Sequence, residues 1–123
     1  MRKSIEHKHQ CGVIRWCKTM EVVHPELKLI HAIPNGGARN IATGAMLKRE
    51  GVKAGVPDLF LPVPKNDYHG LYIEMKAGKN KPTQNQCWWA EQLQYQGYRV
   101  CLCYSSTLAI RAICDYLRLP YRY

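Results

Sequence analysis

The stretch Gly55-Val56-Pro57-Asp58-Leu59-Phe60-Leu61, with its continuation Leu71-Tyr72-Ile73-Glu74-Met75-Lys76, decides how this chain is read. Two short apolar runs flank the turn-rich insert Pro62-Val63-Pro64-Lys65-Asn66-Asp67-Tyr68-His69-Gly70, which is the pattern of a β-hairpin. Asp58 opens the first strand, and Glu74 and Lys76 lie two apart in the second. Side chains along a strand alternate faces, so Glu74 and Lys76 point one way and Met75 the other. Ile73 and Met75 are then the core-facing pair. Two carboxylates near one spot bind a hard cation through oxygen, typically Mg²⁺ with several waters retained. A lysine beside them can orient a water or neutralise charge on a phosphate.

Outward from the hairpin, residues 4–20 read as a helix with Ser4 as N-cap. Glu6, Gln10, Val13 and Cys17 form one stripe along it, and Ile5, Trp16 and Met20 a neighbouring one. His24-Pro25 breaks the helix. Leu27 to Ile33 is strand-like, and Pro34-Asn35-Gly36-Gly37 is a tight turn. A short helix follows over residues 40–50, closed by Gly51. Beyond the hairpin, Ala77 to Pro82 is a basic loop. Thr83-x-x-Gln86 is a capping box that opens a helix to Gln96, with Trp89, Leu93 and Gln96 inward. Trp88 and Trp89 are adjacent, so they cannot both face the core. Tyr98 to Tyr104 reads as a central strand, and Ser105-Ser106-Thr107 caps a last helix that Pro120 stops. The order α-β-α-β-β-α-β-α predicts an α/β fold, a mixed sheet with helices on both faces.

The chain has 123 residues, enough for one domain with a single core, so residues 1–123 are expected to form one unit. No run of about 18 apolar residues occurs, so no membrane span is expected, nor a signal-peptide core after the basic start. The net charge is +9, which favours a polyanionic partner through steering and counterion release. Six cysteines carry no C-x-x-C spacing, which argues against a zinc ribbon. Cys87, Cys101, Cys103 and Cys114 sit among apolar residues and are expected as buried reduced thiols in a cytoplasm.

Pro57-Asp58, a turn, then Glu74-Met75-Lys76 resembles the PD-(D/E)xK nuclease signature. Its neighbours narrow the resemblance: Asn35-Gly36-Gly37-x-Arg39, Leu47-Lys48-x-x-Gly51-Val52, Gly55-Val56-Pro57-Asp58, Thr83-x-x-Gln86 and Gly97-Tyr98-x-Val100. Together they resemble the virus-type replication-repair nuclease (VRR-NUC) domain, over nearly the whole chain. The resemblance implies a restriction-endonuclease-like fold and hydrolysis of DNA phosphodiester bonds. It implies that Asp58 and Glu74 hold Mg²⁺ or Mn²⁺, with Glu6 and the main-chain carbonyl of Met75. Lys76 would position water or neutralise the transition state, and Gln86 would orient a ligand or the lysine. Glu6 alone reads equally as a helix-start acid suited to the dipole, and Gln86 as a cap. Arg39, Lys48, Lys53, Lys79 and Lys81 are the candidate DNA contacts, although Lys48 and its neighbour Arg49 also read as a solvated helix end. Compact phage and bacterial members look like homodimeric resolvases of four-way (Holliday) junctions, which implies branched DNA cut by structure. The rival readings are a flap or single-strand nuclease and a basic DNA-binding module without catalysis.

Overall fold

The computed structural model describes residues 2–34 and 41–120. Asn35-Gly36-Gly37, Arg39 and the tail from Tyr121 lie outside them.

The hairpin is present and organises the sheet. Strand β2 (Leu59–Leu61) pairs antiparallel with β3 (Leu71–Met75), Leu59 opposite Ile73 and Leu61 opposite Leu71. The pleat sends Leu59, Leu61, Leu71, Ile73 and Met75 to one face, where each is at most 1% exposed. Each such burial contributes about 1.5–3 kcal/mol, and Leu59→Ala would cost about 2–5 kcal/mol because it also leaves a cavity. Within the insert, Lys65 and Tyr68 close a tight turn, with Asn66 and Asp67 at φ 50° and 69°. Short Asx side chains tolerate that left-handed backbone best after glycine.

The remaining strands flank this pair in the order β1-β2-β3-β4. Strand β1 (His31–Ala32) runs antiparallel to β2, and β4 (Arg99–Cys103) runs parallel to β3. A parallel neighbour needs a crossover, and helix α3 (Gln84–Tyr95) supplies it. Strand β4 therefore stands at an edge of the sheet rather than at its centre, and Leu102 is 42% exposed there. Its apolar composition resembled a central strand because α4 and α3 pack on it.

Helices α1 (Arg2–Met20) and α4 (Ser106–Leu117) pack together on the inner face. Val13 and Cys17 of α1 meet Ala109, Ile113, Tyr116 and Leu117 of α4 in the core. Gly12 permits the approach, since a Cβ there would lie 3.2 Å from Ser106 Cβ. The α4 N-terminus is capped twice: Ser105 Oγ accepts from Leu108 N–H at 3.1 Å, and His9 Nδ1 accepts from Ser106 N–H at 3.1 Å. Helix α3 covers the opposite face along β4, so helices lie on both faces as expected.

Several expectations need correction. Helix α1 begins at Arg2, so Ser4 lies inside its first turn and is not its N-cap; the two residues before Ser4 carry no helix breaker, so the helix starts ahead of it. Leu27 to Ile30 is not strand: Pro25–Leu29 forms a 3-10 helix that buries Leu27, and only His31–Ala32 pairs. Proline in the first turn of that helix sets its φ in advance, which outweighs the apolar run behind it. Cys87 is exposed and Cys101 only half-buried, because α3 offers no fully buried residue and β4 is an edge. Gln96 is the exposed C-cap of α3 rather than an inward residue. Helix α2 (Ile41–Arg49) matches its expected position, and Gly51 follows it at φ 102°.

Candidate active site

The β2–β3 register fixes the first relationship. Leu59 pairs with Ile73, so the next antiparallel step sets Asp58 across from Glu74, on the same side of the sheet. Asp58 Oδ2 accepts from Met75 N–H at 2.7 Å, which ties the carboxylate to the end of β3. Lys76 N–H donates to Cys103 O at 2.9 Å, so the lysine backbone is held against β4. Alternation then directs the Lys76 side chain to the Glu74 side. Glu74 and Lys76 are each only 7% exposed and Asp58 is half-buried, so Glu74 and the lysine are enclosed while Asp58 stays partly open.

Gln86 completes the group from the first turn of α3. Its Nε2 donates to Glu74 Oε2 at 3.2 Å. Its Oε1 accepts from Thr83 N–H at 2.9 Å, while Thr83 Oγ1 accepts from Gln86 N–H at 3.1 Å. The cap and the carboxylate contact thus coexist, because a primary amide has an acceptor end and a donor end.

The loop that leads into Asp58 is fixed by sterics. Gly55 has φ 96°, and a Cβ there would meet Asn85 Nδ2 at 2.8 Å and Trp89 Cδ1 at 2.9 Å. Only glycine fits both constraints at low cost. Asn85 Nδ2 also donates to Ala54 O at 2.7 Å, which clamps this loop to the α3 turn carrying Gln86. On the other side, Tyr104 O–H donates to Asn80 O at 2.6 Å and pins the loop after Lys76. Asn85 and Tyr104 escaped the sequence reading, because neither stands in a spacing that shows a distant backbone partner.

Burial pushes the Glu74 carboxyl upward, and the Asp58 charge and hydrogen bond push it further; Lys76 opposes them. Asp58 is also raised, by burial first, against the lowering effect of the Met75 N–H and Glu74 contacts. Glu6, half-buried on α1, raises both. Two acids in contact disfavour charge on both at once, and a bound cation relieves that cost. Among the described residues no three His, Cys, Asp or Glu side chains converge at ligand spacing. The oxygen donors at hand are those of Asp58 and Glu74, with Glu6 acting on them through its field. Such hard oxygens suit Mg²⁺ or Mn²⁺, which are held by one or two carboxylates plus water.

Of the candidate DNA contacts, Lys48, Lys53, Lys79 and Lys81 are exposed, and Arg39 lies outside the described residues. Lys53 adjoins the Ala54–Asn85 clamp, and Lys79 and Lys81 flank the pinned Asn80. Lys53, Lys79 and Lys81 stand on the two loops that precede Asp58 and follow Lys76 in the chain, whereas Lys48 sits in the last turn of α2.

A mixed sheet with helices on both faces, carrying Asp58, Glu74 and Lys76 on one side, has the form of a PD-(D/E)xK nuclease, the type that the family match implies. The chain belongs to the VRR-NUC domain family, whose profile matches residues 1–107. A solved structure titled "VRR_NUC domain protein" is similar at 30% identity and a TM-score of 0.76. The match covers 94% of this chain and 89% of that one. Comparison with curated protein sequences gives no match. No helix among the described residues is long and apolar enough to cross a membrane.

Proposed function

We propose that this chain, folded as one domain, is a metal-dependent DNA endonuclease that acts as a homodimer on four-way junctions, in the cytoplasm of a bacterial or phage-infected cell. The observation that carries the catalytic part is the pairing of half-buried Asp58 with buried Glu74, with Lys76 on the same side and Gln86 bonded to Glu74.

Asp58 and Glu74 would hold Mg²⁺ or Mn²⁺, with the Met75 carbonyl as a further donor; Glu6, the other expected ligand, would have to move closer than it stands here to join them. When bound, the metal supplies Lewis acidity at the phosphate and lowers the pKa of its water. The chain's own residues do the rest. The Met75 N–H fixes one carboxylate of the pair and the Gln86 amide the other, so neither rotates away when the site fills. The Lys76 ammonium, held at a buried position, donates to the attacking water or to a non-bridging phosphate oxygen as charge builds there. Water adds to phosphorus, the ester bond to the leaving oxygen breaks, and that oxygen gains a proton. Lys53, Lys79 and Lys81 grip the backbone without reading sequence.

The test is cleavage of a labelled four-way junction beside duplex, flap and single-stranded controls, with Mg²⁺, with Mn²⁺ and with EDTA. Paired symmetric nicks on the junction, lost in EDTA, are expected. Cuts spread over flaps or single strands would drop the junction assignment and keep the nuclease. Absence of cutting in either metal would leave a DNA-binding protein.

A further inference from the structure

The two edges of the sheet are built differently. Strand β1 pairs over two residues only, which is one way a protein blunts an edge. Strand β4 pairs over five, from Leu71 opposite Arg99 to Met75 opposite Cys103, with no bulge. It carries no Pro, Gly or Lys to discourage further pairing. Arg99 N–H donates to Gly70 O at 3.0 Å, and Cys103 O accepts from Lys76 N–H at 2.9 Å, so Arg99, Cys101 and Cys103 turn their main chain towards β3. Val100 and Leu102 therefore turn theirs outward, and no strand among the described residues lies beyond them.

Both faces of this edge are hollow. On the α4 side, a cavity of about 450 Å³ has Arg99, Cys101, Arg111 and Asp115 in its wall. On the α3 side, a cavity of about 180 Å³ is walled by Pro82, Ala90, Val100 and Leu102, with Glu74, Gln86 and Gln94 among its polar members. Leu102 borders both cavities and leaves an exposed apolar side chain between them.

We infer that β4 takes an extended segment of a partner protein as a fifth strand, apolar at alternate positions and acidic between them. In strand addition, main-chain bonds supply affinity and pockets for alternate side chains supply choice. Paired positions share a face of the sheet. Residues of the added strand level with Val100 and Leu102 thus turn to the α3 cavity, beside the apolar wall. The residue level with Cys101 turns to the α4 cavity. That wall holds two guanidiniums, Arg99 and Arg111, against one carboxylate, Asp115, in a chain of net charge +9. Arg99 is exposed, its guanidinium 5.9 Å from the Tyr68 ring centre. A carboxylate is what this wall attracts. A nucleic-acid backbone would meet Asp115 beside the arginines and leave the outward groups of Val100 and Leu102 without strand partners. A second copy pairing β4 to β4 would bring another Arg99 to the edge, like charge against like. Such docking needs only the sheet, so it stands apart from the nuclease chemistry.

The test is fluorescence polarisation of a fluorescein-labelled heptapeptide of alternating valine and glutamate, titrated with the full chain. One copy has lysine for glutamate, and another is N-methylated along its backbone. The glutamate peptide is expected to bind, and each altered copy to bind about tenfold more weakly or worse. Arg99→Glu is expected to invert the preference towards the lysine peptide. Lys28→Glu, an equal charge change on the 3-10 helix, is expected to leave it unchanged. Leu102→Pro removes one outward N–H at a place where an edge strand tolerates proline, and should weaken the glutamate peptide about tenfold. Unchanged circular dichroism shows that the variants fold, and R99E and the N-methylated peptide carry the test if L102P does not.

Equal binding of the N-methylated copy would mean contact without strand addition and overturn the assignment. So would a preference of the wild type for the lysine peptide, or no binding at roughly 1 mM chain. A wild-type dimer that L102P converts to monomer would give the edge to a second copy instead. A loss of duplex-DNA affinity in R99E beyond that in K28E would give it to nucleic acid. Metal-dependent nicking by the same samples reports on the nuclease separately.

Discussion

Gln86 joins the start of α3 to the Glu74 carboxylate: its Nε2 lies 3.2 Å from Glu74 Oε2 while its Oε1 closes the cap at Thr83 N–H. One side chain therefore couples helix position to carboxylate orientation. Replacing it by Glu separates the two roles. A glutamate still accepts from Thr83 N–H and suits a helix start, but it faces Glu74 with a second carboxylate. Gln86→Glu should keep the thermal midpoint within a degree or so and lose about 10–100-fold in cleavage, the usual cost of a lost carboxylate-orienting contact. Thr83→Ala should do the reverse, losing about 1 kcal/mol of stability with a smaller effect on rate. Thermal melts and initial rates on one substrate check both.

Lys76 faces the acids from a position only 7% exposed. Lys76→Met keeps most of its apolar stem and removes the charge. It should leave DNA binding within a few-fold and lower cleavage about 10²–10³-fold, the usual cost of one well-placed donor to developing charge. Retained cleavage would take the lysine out of the mechanism. Glu74→Gln should lose cleavage and also the thermal stabilisation that Mn²⁺ confers on the wild type. A shift that survives in E74Q would move the metal elsewhere.

Asp58 accepts from Met75 N–H at 2.7 Å in a half-buried place. Asp58→Ala leaves that amide without its acceptor and should cost about 1–3 kcal/mol of stability. Asp58→Asn keeps an oxygen there and should cost less. Both should abolish cleavage. Urea melts with a parallel activity assay separate the structural part of the role from the chemical part.

The thiols should divide by burial. Cys11 and Cys87 are exposed, and they should react with maleimide rapidly at neutral pH. Cys17 and Cys103 are buried, and burial pushes each thiol from 9.0 up to about 12. They should label only as fast as the protein opens, which timed mass spectrometry reads. The same shift sets a pH limit. A thiol held neutral in the fold gives stability that is complete below its unfolded value of 9.0 and lost as pH rises towards 12. The thermal midpoint should therefore fall through that alkaline window, and Cys17→Ala should fall less steeply.

Much of this was legible in the chain because it is local. Alternation around Asp58 and Glu74 gave the hairpin, its inward face and the shared side of Glu74 and Lys76. Capping chemistry at Thr83 and Ser105 gave the starts of two helices, and both caps are present. Some misreadings are local, as at Ser4 inside α1 and at Pro25, which opens a 3-10 turn where an apolar run suggested strand; the others are questions of neighbours. An apolar strand reads alike at a centre and at an edge, so β4 was placed wrongly. A cysteine among apolar residues reads as buried, so Cys87 was too.

The sequence by itself determined the hairpin, the order of elements and the identity of the acids and the lysine. These follow from spacing along one backbone, where a period of two or a cap three residues away fixes geometry. Tertiary structure alone decided that Asp58 leans on the Met75 amide, that Gln86 serves cap and carboxylate together, and that Asn85 clamps the Ala54 loop. It alone brought His31, Phe60, Tyr72, Tyr98 and His69 into one run of ring contacts. Those contacts join residues 12 to 38 positions apart, and which of many polar or aromatic partners meet at that range depends on how the strands register and which face each helix covers.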